Sequence, residues 1–400
     1  MDDFSAFPYA LPMLLDGGAV TNLTRAGMPA GVCMEQWAAE NPEVLKAVQT
    51  RFLQAGSTAL LAPTFGANRA CLREYGLEGA VESLNQTLIA RTRENAGGAL
   101  VGALLGPSGL FVPPDGEADF DDVYELYREQ VRALERAGAD FIFMSSLTCL
   151  SDMRAAVLAA RTNDLPVLVT MNVDESGRTV TGAELLPVLL TLQAMGADAV
   201  GLNFPCEPEK MAGIFEDVFP HAGVPLVARP GNRTIPPAAW AGGMERLFCA
   251  GVSVLGGCLD TSPAHIAALK AALQGKTPRP VAQDPDCEAA TIETEAFFLG
   301  DDVTYSRPLF CTSQLPDDLI ALDDSPASAA LVEIASVGDA QVLAECAHLT
   351  RMPVAVHADS LPVLEAALRY YQGRLLIDTH CALDEDVLLP LAKKYGAILY

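Results

Sequence analysis

Apolar residues in this chain gather in short unbroken runs rather than alternating with polar ones, and several runs follow a helix-like stretch that ends in glycine. Ala55-Gly56-Ser57 precedes residues 59–63, Ala137-Gly138-Ala139-Asp140 precedes 141–146, Met195-Gly196-Ala197-Asp198 precedes 199–204, and Ala250-Gly251 precedes 252–257. Glycine ends a helix because the position after the cap commonly needs positive φ, which a residue without Cβ adopts freely. A continuous apolar run fits a parallel strand covered on both faces. Eight such runs are present, at residues 13–15, 59–63, 100–106, 141–146, 167–173, 199–204, 225–229 and 252–257. Eight strand–helix units in residues 1–275 predict an α/β fold, a (β/α)8 TIM barrel, which typically needs about 250 residues. A doubly wound open sheet is the competing architecture, but the first strand lacks the GxGxxG turn that such sheets use for dinucleotides.

After Leu273 the texture changes. Residues 276–300 are rich in proline and acidic side chains and read as a linker. Residues 301–400 return to strand–helix alternation, with apolar runs at 331–336, 353–358, 375–380 and 397–400 separated by helical patterns. This predicts a smaller α/β unit, too short for a second complete barrel. A partial barrel, an open sheet, a swapped module and a shortened chain all satisfy the pattern.

Charge narrows the function classes. The 400 residues carry 26 Lys and Arg against 51 Asp and Glu, a formal net charge of −25. A polyanion is repelled by nucleic acid and by anionic membrane surfaces, so neither is an expected partner. No apolar run reaches the roughly 18 residues that span a bilayer, and the acidic start lacks the positive charge of a secretory signal. Ten scattered cysteines without CxxC pairs fit reduced thiols in the cytoplasm.

Chemistry on such a barrel gathers at the carboxyl ends of the strands. The polar candidates there are Asp16 with Gly17, Gly18 and Ala19; Thr64 and Asn68; Ser145 with Ser146; Asn172; Asn203 with Cys206; Arg229 with Asn232; and Gly256-Gly257-Cys258. A Schiff-base mechanism needs a lysine on this face, yet Lys46, Lys210, Lys270 and Lys276 fall elsewhere. There is no HExxH helix or Walker loop, and residues 106–109 are not a nucleophile elbow. His265, inside a helical pattern, reads as a packed or surface residue. The segment Gly256–Pro263 allows three readings: backbone N–H groups presented to a phosphate, a Cys258 thiolate facing the mouth with Cys206 joining it, or a tight turn over a buried thiol.

Together these segments resemble the homocysteine S-methyltransferase family. The resemblance is carried in order by residues 14–23 (LLDGGAVTNL), 40–68, 104–109 (LLGPSG), 174–182, 196–203 (GADAVGLN) and 256–269 (GGCLDTSPAHIAAL). It implies a small-molecule substrate and methyl transfer to a thiol, homocysteine by default, with zinc as cofactor. A free thiol with a pKa near 8.5 is only about 3% ionised at pH 7. Zinc held by thiolates deprotonates a bound sulfur if one coordination position stays open.

The family takes three zinc cysteines, one directly after GLN and two adjacent after GG. Here Phe204 follows Asn203, and Leu259 follows Cys258. One ligand of three remains, so the usual zinc site is expected to be absent or severely weakened. Cys206 is the available second thiol, and Asp260 a further oxygen donor. Ser145-Ser146 stands where the family has a Glu-Thr pair for the substrate ammonium, while Gly17, Gly18 and Ala19 keep its carboxylate-binding turn. The resemblance leaves the methyl donor open: a corrinoid on a separate protein, a methylated amine or sulfonium, or a methylfolate. The alternative is a catalytically altered barrel that binds a carboxylate- or phosphate-bearing ligand, or a partner protein, without zinc–thiolate chemistry. Residues 354–400 more weakly resemble part of a methyltetrahydrofolate-binding barrel, with Asp359 and Asp378 at strand ends.

Overall fold

The computed structural model describes residues 7–203, 207–231, 234–283, 285–300, 302–322 and 325–400. Eight parallel strands form one curved sheet: β1 (Met13–Leu14), β2 (Ala59–Ala62), β3 (Leu100–Leu105), β4 (Phe141–Leu147), β5 (Val167–Asn172), β6 (Ala199–Asn203), β7 (Leu226–Arg229) and β8 (Val252–Leu255). Their order is β1-β8-β7-β6-β5-β4-β3-β2, the circuit of a (β/α)8 barrel. At the β1–β2 seam regular pairing gives way to mixed bonds. Thr58 N–H donates to Leu14 O at 2.7 Å, Ser57 Oγ to Leu15 O at 3.2 Å, and Leu61 N–H to the Asp16 carboxylate at 3.1 Å. A side chain thus occupies an acceptor position that a strand would otherwise fill.

The barrel interior is filled by Met13, Leu15, Leu61, Phe141, Phe143, Leu168, Val227 and Val254 with smaller neighbours. A second, larger core lies between the sheet and its helices and runs without interruption into residues 292–395. Each strand is buried on both faces, which is why its residues read as continuous apolar runs.

The segment read as a linker forms, in its second half, a hairpin of β9 (Ala289–Ile292) and β10 (Ala296–Phe298). It is joined by the short strand β14 (Gly373–Arg374). The remaining chain makes a five-stranded parallel sheet from β11 (Leu309–Phe310), β12 (Ala330–Glu333), β13 (Val354–His357), β15 (Leu376–Ile377) and β16 (Ile398–Leu399). This second unit covers the barrel helices Leu150–Ala160 and Leu185–Ala194. Every residue of the first of these is buried, including the polar Ser151, Asp152 and Arg154, so its polar side chains must find partners inside the protein. The Arg154 guanidinium on that helix donates to the carbonyls of Leu368, Arg369 and Tyr371, closing the end of the Leu361–Tyr370 helix. Burial pushes its pKa down to about 10.

Candidate functional site

Each polar group at the mouth is placed by a strand end or by the loop that follows it. Asp16 follows β1 directly, and Gly17 and Gly18 lead into the Ala19–Arg25 helix. A Cβ on Gly17 would lie 2.5 Å from Thr261 O, and one on Gly18 2.7 Å from Cys258 O. No side chain fits at either position, because the first loop packs directly on the eighth. Gly18 N–H donates to Cys258 O at 3.0 Å, which fixes that contact.

The loop after β8 directs its amides inward. Gly256 N–H bonds to Ala228 O, Gly257 N–H to Asp16 O, Cys258 N–H to Pro230 O and Thr261 N–H to Cys258 O, at 3.0–3.2 Å. Asp260 N–H reaches Thr21 Oγ1 at 3.4 Å. These five donors are used within the protein, so the phosphate reading of this turn has no set of free amides behind it. His265 accepts and donates locally, with Ser262 at its Nδ1 and Ile235 O at its Nε2, and packs on Trp240 as a structural residue.

On the opposite side, Asn203 at the end of β6 holds Ser146 at two points. Its Oδ1 accepts from Ser146 N–H at 3.1 Å, and its Nδ2 donates to Ser146 Oγ at 2.7 Å. Ser146 adopts a φ of +67°, uncommon for a residue with a Cβ, and this clamp holds it there. Arg229 ends β7, pairs in register with Asn203, and is buried with 3% exposure. Its Nε donates to Gly257 O at 3.2 Å, and its Nη1 lies 3.5 Å from Ser145 Oγ. Its guanidinium carbon stands 5.2 Å from the centre of the Phe143 ring inside the barrel. No described carboxylate forms an ion pair with it.

Asp16 is the complementary acid. One carboxylate oxygen accepts from Leu61 N–H, while the other is buried without a partner. Burial pushes its pKa up to about 7, against the opposing pull of the Arg229 charge and of the Leu61 N–H. The mouth therefore brings together Asp16, Gly17, Gly18, Ser145, Asn203, Arg229 and Cys258. Ala19 starts the first helix, and Asn172 at the end of β5 has a buried Oδ1 without a partner.

Two expected site residues do other work. Thr64 ties β2 to β3, its Oγ1 donating to Leu104 O at 2.8 Å and accepting from Leu104 N–H at 3.0 Å. Asn68 caps the Arg69–Arg73 helix by accepting from Cys71 N–H. Both sit at a strand end, where a cap and a ligand contact look alike in sequence.

The structure adds two buried carboxylates, Glu35 and Asp152, and one half-buried, Glu293, that the sequence did not single out. Glu35 accepts from Gly66 N–H at 2.6 Å. Asp152 accepts from Tyr127 OH at 2.9 Å and keeps one unpartnered oxygen; burial pushes it up to about 6. Glu293, from the second unit, accepts from Leu150 N–H at 2.8 Å and Thr181 Oγ1 at 2.6 Å, stapling the loops after β4 and β5. In the second sheet, Asp378 accepts from His357 Nδ1 at 2.8 Å and His380 Nδ1 at 2.9 Å. Burial raises this carboxyl, but those bonds prevail and hold it below its usual value.

The family's three-thiolate zinc set does not fit the residues here. Cys258 is half-buried, and the neighbouring Leu259 is an exposed hydrocarbon. Asp260 is engaged by Arg25 at 2.8 Å. Among the described residues, no group of three or more His, Cys, Asp or Glu is placed to hold a metal ion. Phe204 and Cys206 lie outside the described residues, as does Asn232.

The family model for homocysteine S-methyltransferase matches residues 13–273. The chain belongs to the homocysteine S-methyltransferase family. Methionine synthase of Mycobacterium leprae (strain TN) is 26% identical over 400 residues, covering 87% of this chain and 33% of the relative. Methionine synthase of Mycobacterium tuberculosis (strain ATCC 25618 / H37Rv) is 26% identical over 394 residues with the same coverage. The chain thus spans a third of the length of these curated relatives. Among solved structures, the homocysteine methyltransferase MmuM from Escherichia coli in its metallated form is similar, with a TM-score of 0.58 and 25% identity over 65% of this chain and 95% of that one. No helix among the described residues is long and apolar enough to cross a membrane.

Proposed function

We propose that the mouth binds an amino acid thiol of the homocysteine type and serves methyl transfer to its sulfur, in a methionine-forming role within the cytoplasm. The observation that carries this reading is the unpartnered oxygen of the buried Asp16 carboxylate, on the strand-end face of a barrel of this family. A buried carboxylate with one bare oxygen and no ion pair is costly even with the Arg229 charge acting on it, and a ligand ammonium relieves that cost through a charge-assisted bond. The polar edge made by Ser145, Ser146 and Asn203 orients the rest of the acceptor. All nine described cysteines are free, in keeping with a reducing compartment. The donor is a methylated amine or sulfonium, a methylfolate, or a methylcorrinoid carried on a separate protein.

Isothermal titration with homocysteine tests the reading. Saturable binding is expected, weakened by roughly tenfold or more in Asp16→Asn, the usual scale for losing a charge-assisted contact. Absence of binding to the unsubstituted chain overturns it. A second reading, favoured by the missing zinc donors, is an altered barrel that binds the same ligand class without methyl transfer. Binding without labelled methyl incorporation from any of the donor classes would select it.

A further inference from the structure

The three-thiolate set is missing, yet the region of the mouth that would house it is not neutral. The family's thiol positions follow β6 and β8, and β7 lies between those strands. Arg229, the last residue of β7, stands opposite Asn203, the residue before Phe204. Its Nε is bonded to the carbonyl of Gly257, the residue before Cys258. A fixed positive charge therefore sits between the end of β6 and the start of the loop after β8, the two strands whose ends carry the family's thiolates. That charge is buried, rests against the Phe143 ring, and has only neutral hydrogen-bond acceptors.

We propose that Arg229 replaces the metal as the cation of this site, binding the acceptor's sulfur as a thiolate without zinc. A buried guanidinium that hydrogen-bonds only to neutral acceptors, with Asp16 acting on it through space alone, keeps part of its desolvation cost, and an anionic ligand group compensates it. The same charge repels a divalent cation placed beside it, in a region of low dielectric where screening is weak. The step is an ionisation only: the S–H bond breaks, the proton leaves to solvent, and the electron pair stays on sulfur facing the guanidinium. Asp16, the other unpaired charge at the mouth, takes the ammonium end and does not compete for the sulfur.

The inference rests on the reading of the mouth as an amino acid thiol site, and the experiment separates the two. The full chain is dialysed against a chelator, assayed for zinc, and titrated with homocysteine and with homoserine, its non-ionising oxygen analogue. The ultraviolet thiolate band of bound homocysteine is followed against pH. Expected results are less than about 0.1 zinc per chain, homocysteine affinity within about twofold of the undialysed protein, and at least about tenfold preference over homoserine at pH 8. The bound thiol should titrate about one unit or more below its free value. Arg229→Gln should abolish that shift and the preference, and Arg229→Lys should restore part of both; the unsubstituted chain suffices if either variant fails to fold. One zinc per chain whose removal abolishes binding overturns the inference. So does equal binding of homocysteine and homoserine, which leaves the amino acid site standing. Binding of neither removes the reading and the inference together.

Discussion

The molecule buries charge in two regions and treats it differently in each. At the seam between barrel and second unit, Arg154 donates to three carbonyls. Within the second unit, Arg374 similarly meets Gly396 O, Cys287 O and Ala289 O. Thr191 and Thr291 share a hydroxyl bond of 2.7 Å, and Arg369 pairs with Asp121. At the mouth, Asp16 keeps a free oxygen, and Arg229 holds one carbonyl at 3.2 Å and reaches a hydroxyl only at 3.5 Å. Charges satisfied by the protein hold the fold together, whereas charges left incomplete are places for something that arrives from outside. Neither burial nor the lack of a carboxylate, which Arg154 shares, tells them apart; the number and length of the hydrogen bonds do, even with the Arg154 Nε left bare.

The contrast makes opposite predictions for the two regions. Arg154→Ala should have the largest effect, lowering stability by about 3–5 kcal/mol, since three buried carbonyls lose their donor. Urea unfolding measures this, and a loss under about 1 kcal/mol would remove the seam from the comparison. Asp16→Asn should act in the other direction. The folded pKa of Asp16 lies above the unfolded value of 3.8, at about 7. Its contribution therefore favours the fold at low pH and is lost as pH rises from about 4 to about 7. At pH 8 the variant should be more stable than the parent by about 1–3 kcal/mol while binding acceptor more weakly. Thermal unfolding across pH 5–8 checks this, with the variant showing a flatter profile; Asp152, raised to about 6, contributes a residual slope of the same sign.

Smaller effects sharpen the boundary between the regions. Glu293 belongs to the second unit but bonds to Leu150 N–H and Thr181 Oγ1 at the barrel rim. Glu293→Ala should lower stability by about 1–2 kcal/mol and speed hydrogen exchange at the Leu150 amide, and Glu293→Gln should restore most of both. Unchanged exchange at Leu150 would show that the second unit does not brace the rim. Least of all, Asp260→Asn should change stability by under about 0.5 kcal/mol, because it removes only the exposed pair with Arg25 while Asn tolerates the φ of +63°. A concomitant loss of bound zinc would reinstate Asp260 as a metal donor.

The eight barrel strands were legible because each is covered on both faces, and that burial writes itself as an unbroken apolar run such as Val167–Asn172. The hairpin at 289–298 was not, because its short strands lie among proline and acidic residues, and β9 finds its second partner only at residues 373–374. At the mouth, Asp16, Ser145, Asn203 and Cys258 were found by their strand-end position. The same rule selected Thr64 and Asn68, whose hydrogen bonds serve the scaffold.

Sequence by itself determined the barrel, the family, and the presence of Phe204 and Leu259 where zinc thiolates would stand, since periodicity and residue identity are local properties of the chain. Only the tertiary structure decided that Arg229 lies buried between Asn203 and Gly257 without an ion pair, and that Arg154, equally buried, is spent on the seam. The reason is physical: whether a buried charge is satisfied depends on partners such as Gly257 or Tyr371, separated from it by 28 and 217 residues, and folding alone brings them within reach.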